Sequence, residues 1–154
     1  MKKVDVLVIS IANPILIGIY EDNNLIKTIE DSGKTSDVLP NIFKSILEDF
    51  EIITIFYVNG PGSYMAIKVG YIFLKTISIV RDIKFKATNG FKFNQNSPIK
   101  ALGKKYFFNQ DNDKIIIDFL KDTDKIIEFK LPKELQKDIF TEDCLPNYQL
   151  PAVY

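Results

Sequence analysis

The chain alternates between apolar runs and brief polar interruptions, and the period of each run predicts its element. Val4 to Ser10 ("VDVLVIS") is β-branched and almost continuously apolar, the pattern of a strand covered on both faces. Pro14 to Tyr20 ("PILIGIY") predicts a second strand and Leu25 to Glu30 ("LIKTIE") a third. The turn formers Glu21 to Asn24 between them predict a hairpin. Asp31 to Asp37 ("DSGKTSD") is a loop that ends in helix-start chemistry. Thr35 or Ser36 is expected to cap, with Asp37 in the first turn, where the helix dipole favours negative charge. Pro40 is expected to fall where early N–H groups lack partners. Val38, Leu39, Ile42, Phe43, Ile46 and Leu47 then recur at helical spacing.

Glu51 to Gly60 ("EIITIFYVNG") predicts a fourth strand, parallel to the first. "GPGS" follows, and Ser63 is a good N-cap for the helix "YMAIKVGYIFLKTISIV", whose only charges are Lys68 and Lys75. A helix apolar nearly all round needs cover on more than one side. Ile83 to Thr88 predicts a fifth strand, Asn89 to Pro98 a turn-rich stretch, and Ile99 to Phe108 further strand. Lys114 to Leu120 and Lys125 to Leu131 are expected to pair as a hairpin around Lys121 to Asp124. Pro132 to Phe140 predicts a short helix, and the remainder is extended or irregular. The order β-β-β-α-β-α-β with a strand-rich tail predicts an α/β fold.

Composition narrows the chemistry. The chain has 154 residues, 46% of them hydrophobic, enough for a sizeable core. Twenty basic residues balance 20 acidic ones, so net charge supplies no general attraction to nucleic acid or anionic membrane. There is no histidine, which removes the usual general base and any Ser-His or Cys-His pair. Cys144 is the only cysteine, so no internal disulfide or Cys-rich zinc site forms, and an inert thiol is expected. Asp5 interrupts the first apolar run too early for a signal core after Met1-Lys2-Lys3, and no run reaches the roughly 20 residues of a membrane helix, so a cytoplasmic protein is expected.

Several local readings compete at the motif. Gly60 and Gly62 before a helix start suit an anion, yet the run lacks the Gly-Lys-Ser/Thr ending of a P-loop and the third glycine of G-x-G-x-x-G. It is no G-x-S-x-G elbow either. A tight strand-to-helix turn accounts for the glycines. The carboxylates Asp111, Asp113, Asp118, Asp122 and Asp124 match no EF-hand spacing and read as a solvated hairpin. Lys100, Lys104 and Lys105 with Tyr106, Phe107 and Phe108 have the residue types of an RNA surface, but alternating strand faces explain them more simply. Neither catalytic residues, nor a metal site, nor a cofactor is expected.

The motif also carries a resemblance. "GPGSYMAIKVG", Gly60 to Gly70, resembles the GPGSFTGLRIG signature of the TsaB (YeaZ) family, bacterial partners in making the threonylcarbamoyladenosine modification of tRNA. Gly60, Pro61, Gly62, Ser63 and Gly70 match, Tyr64, Ile67, Lys68 and Val69 are similar, and Met65 and Ala66 depart. Ser36 to Leu47 is similar to the family's Ser…Leu-Leu-Pro helix, and Leu145 to Pro151 to its Pro-x-Tyr-Leu-Arg ending. Ser10-Ile11-Ala12-Asn13 stands where relatives carry Asp-Thr-Ser, without a carboxylate, and Thr35 where relatives often have His.

The resemblance implies an actin/Hsp70-like (ribonuclease H-like) core over 1–98 and a contracted, strand-rich second lobe over 99–154. It implies a non-enzymatic subunit that docks on a TsaD-type transferase, joined by a TsaE-type ATPase. Contact with tRNA would be only indirect, and the same helices would allow a homodimer. The partner-binding residues it implies are Val38, Leu39, Ile42, Phe43 and Ile46 on the first helix, and Tyr64, Ile67, Lys68, Tyr71 and Lys75 on the second. Gly60, Pro61, Gly62 and Ser63 form the helix-entry turn. The alternative is a stand-alone actin-like nucleotide-binding protein or a small hydrolase.

Overall fold

A computed structural model describes residues 1–110 and 114–149. Asp111 and Asp113 of the carboxylate set, and Leu150 and Pro151 of the terminal likeness, lie outside the described residues. A mixed five-stranded sheet is built from β1 (Lys2–Ile9), β2 (Ile15–Glu21), β3 (Asn24–Asp31), β4 (Phe50–Val58) and β5 (Lys84–Thr88), in the order β3-β2-β1-β4-β5. β1 to β3 form an antiparallel meander, while β4 runs parallel to β1 and β5 parallel to β4. The two parallel steps are crossed by α1 (Thr35–Asp49) and α2 (Tyr64–Val80).

The sheet is covered on both faces, which is why its central strands are apolar at nearly every position. Val4, Val6 and Val8 of β1 and Ile15, Ile17 and Ile19 of β2 face one core with Leu39, Phe43 and Leu74 of the helices. The alternate residues Leu7, Ile9, Phe56 and Val58 face a second core with Phe91, Ile99, Phe107, Leu135 and Phe140 from the C-terminal half. Each fully buried Leu, Ile, Val or Phe contributes about 1.5–3 kcal/mol relative to exposure. Phe43 meets Phe73 edge-on at 5.7 Å where α1 and α2 touch.

The α1 start differs from the expected one. Lys34, not Thr35 or Ser36, is the N-cap, and no side chain caps it. The Gly33 N–H donates to Asp31 Oδ1 at 2.8 Å, and the Asp37 and Val38 N–H groups already donate to the Lys34 carbonyl. That short turn brings the chain into helix one residue early. Pro40 therefore lies beyond the four free N–H groups, and the Ser36 carbonyl loses its helical donor.

A second, three-stranded sheet holds β6 (Ile99–Lys100), β7 (Lys105–Gln110) and β8 (Lys114–Phe119) in that order, all antiparallel. The expected hairpin between Lys114–Leu120 and Lys125–Leu131 does not form: β8 pairs with β7. Residues 125–131 join no strand ladder. Ile127 exchanges bonds with Ser97 Oγ at 3.0 and 3.1 Å, and the Lys130 N–H donates to the Phe93 carbonyl at 2.9 Å. The β-prone run is satisfied by the turn-rich Phe93–Ser97 stretch instead of by a neighbouring strand. Of the helix expected over Pro132 to Phe140, only the single 3₁₀ turn Lys137–Ile139 is present.

Residues 132–148 then cross the second face as a strap. Its backbone meets Leu25 at Lys133, Asn23 at Leu135, Ala87 at Thr141 and Asn59 at Asn147, all at 2.8–2.9 Å. Lys137 Nζ lies 3.0 Å from the buried Asp5 carboxylate, and Phe140 packs on Phe56 at 4.5 Å.

Candidate functional site

The "GPGS" turn joins β4 to α2, and its glycines are fixed by packing. Gly60 has φ +130°, and a Cβ there would sit 2.2 Å from the Asn147 carbonyl oxygen. At Gly62 a Cβ would come 2.9 Å from the Ile11 carbonyl oxygen. The turn is thus clamped between the strap and the β1–β2 loop. Asn59 Nδ2 donates to the Leu145 carbonyl at 3.1 Å, and the Gly90 N–H to the Gly60 carbonyl at 2.9 Å. Ser63 caps α2 as expected, its Oγ facing the Ala66 N–H at 3.5 Å and its carbonyl accepting from Ile67 at 3.0 Å.

Aromatic groups complete the clamp. Tyr148 stacks on Tyr64 with ring centres 4.4 Å apart, and Tyr57 stacks on Phe85 at 4.8 Å. The Tyr57 hydroxyl donates to the Cys144 carbonyl, and the Cys144 thiol to the Phe85 carbonyl at 3.0 Å. Burial pushes the Tyr57 phenol far above its usual range, helped by the nearby Cys144. Burial likewise pushes the Cys144 thiol up to about 11 against a pull from Lys75, and raises Tyr148 beside Tyr64 and Tyr71. Cys144 is therefore a protonated thiol holding a backbone carbonyl.

The rotation of α2 about its axis decides which residues are offered outward. Ile67, Gly70, Leu74 and Ser78 face inward. Gly70 allows close approach, since a Cβ there would lie 3.0 Å from Ser10 Oγ. Tyr71, Phe73 and Ile77 pack on the first core. The outward face is apolar: Met65 is 62% exposed, Ile72 53% and Ile79 68%. With the partly exposed Val69 and the exposed Thr76 they form the 4-3-4-3 spacing of a helix-packing seam. Lys68 and Lys75 flank it, Lys75 lying 6.0 Å from the Phe85 ring centre. Such a seam left open on a folded domain favours association.

The residues expected to bind a partner thus divide. Val38, Leu39, Phe43, Ile46 and Ile67 are buried in the chain's own core, with Ile67 only 2% exposed. Ile42 and Tyr71 are half-buried against that core, and Tyr64 is half-buried under Tyr148. Lys68 and Lys75 are exposed beside the seam. The surface residues that the sequence reading missed are Met65, Ile72 and Ile79. Their signal was present as a seven-residue repeat, but Tyr64, Lys68, Tyr71 and Lys75 carry an equally good 4-3-4 spacing.

A cleft of about 280 Å³ lies where α1 and α2 begin, lined by Ser10, Asn13, Ser32, Lys34, Thr35 and Ser63 among others. None of its described lining residues is acidic. The lysine-aromatic set is used within the hairpin: Lys100 lies over Tyr106 at 5.1 Å, Lys105 over Phe119 at 5.5 Å, and Phe107 is fully buried. Asp118 and Asp124 accept from the nearby Phe119 and Lys121 N–H groups at 2.7 Å. Among the described residues no group of three or more His, Cys, Asp or Glu could hold a metal ion, and no helix is long and apolar enough to cross a membrane.

No protein-family model and no curated protein matches the sequence. Solved structures do match the fold. YeaZ from Pseudomonas aeruginosa superposes with a TM-score of 0.61 at 7% identity, over 82% of this chain and 67% of that one. A second structure, described as an uncharacterized protein with similarity to peptidase YEAZ from Pseudomonas aeruginosa, gives 0.56 at 8% identity, over 77% and 64%. The chain therefore spans about two thirds of the length of these two proteins. Its fold is YeaZ-like: a mixed α/β architecture on a five-stranded mixed sheet.

Proposed function

We propose that this chain is a TsaB-like, non-catalytic subunit of the cytoplasm that docks on a TsaD-type transferase and supports threonylcarbamoylation of tRNA adenosine. The observation that carries the reading is the open seam Met65–Val69–Ile72–Thr76–Ile79 on a YeaZ-like fold, launched from a turn that resembles the family signature. α1 packs on α2 through the Phe43–Phe73 contact, and in this reading its half-buried Ile42 and Leu47 stand at the margin of the docking surface. TsaD supplies the transfer chemistry in this reading, a TsaE-type ATPase joins the assembly, and tRNA is contacted only indirectly. The same helices would serve a homodimer. We assign residues 1–98 to an actin-like core and 99–154 to a contracted second lobe. An interface of ordinary size would bury on the order of 1,600 Å².

The cleft at the starts of α1 and α2 favours a second reading, a stand-alone nucleotide-binding protein. It has helix N-termini, hydroxyls and Lys34, the chemistry that suits an anion. Its described lining offers no carboxylate for a metal-bound nucleotide, which ranks it below docking.

The deciding experiment co-expresses the chain with the TsaD-type protein of the same organism and follows both by affinity capture and size-exclusion chromatography. A stoichiometric complex that Ile72→Asp disrupts while the variant stays folded supports docking. Separate elution of two folded proteins refutes it, and a micromolar ATP site by calorimetry would then establish the second reading.

A further inference from the structure

We propose that the outer edge of β8 is a self-pairing surface, through which two copies of this chain join antiparallel about Ile116 into one six-stranded sheet. β8 is the edge of the small sheet, and among the described residues its backbone bonds to β7 and, at the Phe119 N–H, to the neighbouring Asp118 carboxylate, but to no other strand. It carries three consecutive isoleucines, and Ile117 and Phe119 are 36% and 56% exposed. Natural edges of this kind are usually broken by a proline, a bulge or an inward charge. Lys114–Phe119 has none of these between its end charges.

The occupant follows from the strand's own charges. A two-fold axis through an antiparallel pair passes midway between directly opposed residues, so a symmetric pair centres on one residue. Centring on Ile116 opposes Ile115 to Ile117 and Lys114 to Asp118, and does so twice. Centring on Ile117 would oppose Ile116 to Asp118 and leave Lys114 without its counter-charge. The strand is therefore complementary to itself in one register. β7 anchors the edge through Phe107 in the second core, while α1 and α2 lie on the other face of the large sheet. Pairing at β8 is therefore independent of the docking role and leaves the α2 seam free. A single six-residue pair is a small interface, so the dimer is weak and concentration-dependent.

Sedimentation equilibrium of the full chain from micromolar to millimolar concentration reads the pairing. Asp118→Lys sets lysine against lysine at both ends and should raise the dimer dissociation constant about tenfold or more. Lys114→Asp should do the same through paired carboxylates, and the two changes together should restore dimerisation. Under mild oxidation Ile116→Cys should yield a disulfide-linked dimer, because opposed Cα atoms lie about 5 Å apart. Ile115→Cys should not, and Cys144 is buried away from the reaction. A chain monomeric throughout overturns the proposal. So does a dimer indifferent to both charge reversals, or one lost in Ile72→Asp alone, which would place the contact on α2.

Discussion

Replacing Gly60 by alanine isolates the clamp that holds the GPGS turn. The added Cβ would lie 2.2 Å from the Asn147 carbonyl oxygen and 3.2 Å from Ile67 Cδ1, at a φ of +130° that side chains rarely adopt. Backbone groups cannot swing aside as a flexible side chain can, so the strap has to move. Moving it breaks the Asn147–Asn59 backbone bond at 2.8 Å and the Asn59–Leu145 bond at 3.1 Å, each worth about 1 kcal/mol. It also disturbs the Tyr64–Tyr148 stack, worth about 0.5–1.5 kcal/mol. Backbone strain adds about 1–3 kcal/mol, so a loss of roughly 3.5–6.5 kcal/mol is expected. Gly103→Ala is the control, with φ +62° and nothing within 4 Å of the new Cβ, and should cost only about 1–2 kcal/mol. Urea unfolding followed by circular dichroism measures both midpoints. Equal losses in the two variants would mean that the strap is not seated on the turn, and the argument for the glycine would fail.

The remaining predictions test other contacts. Ile72→Asp should leave the melting temperature within a few degrees of the parent while abolishing co-elution with a TsaD-type protein, whereas Ile67→Asp should unfold the chain, because it places a carboxylate at a site 2% exposed. Cys144 should resist alkylation at neutral pH until the strap opens, since burial raises its thiol from about 9 to about 11. A raised folded-state value means that the thiol's contribution is full below pH 9 and is lost as pH rises towards 11. Between those values the wild type should therefore lose thermal stability relative to Cys144→Ala. Lys137→Ala removes the 3.0 Å partner of a buried Asp5 carboxylate and should cost about 1–3 kcal/mol, and Asp5→Asn in the same background should recover part of it.

The five strands and two helices of the first 88 residues were legible because both kinds of periodicity report burial. β1 and β4 are sandwiched, so apolar residues fill both phases of the pleat; α1 has one buried stripe, so its 3.6-residue repeat stands out. The same logic explains the failures. Lys125–Leu131 has strand composition, but composition does not say whether a run's hydrogen bonds go to a neighbouring strand or to Ser97 and Phe93. The strap was unreadable because its bonds reach far along the chain: Tyr20 to Pro132, Tyr57 to Cys144 and Asn59 to Leu145 span 112, 87 and 86 residues. No local pattern encodes such pairs.

The outward face of α2 failed for a different reason, and that reason bears on function. A helix apolar around most of its circumference satisfies two seven-residue seams at once, one through Tyr64, Lys68, Tyr71 and Lys75 and one through Met65, Ile72 and Ile79. Its sequence fixes its burial but not its rotation. Rotation is settled outside the helix, by Gly70 beside Ser10, by Tyr71 against Tyr57 and Phe85, and by Tyr148 lying on Tyr64. One of those constraints comes from the sheet, one from the loop that follows β1 and one from the far end of the chain. The strap that clamps the GPGS turn therefore also helps set which seam α2 presents. A perturbation of the strap that left the core intact would rotate or loosen that seam, so partner binding should be sensitive to Tyr148→Ala even though Tyr148 lies off the exposed stripe.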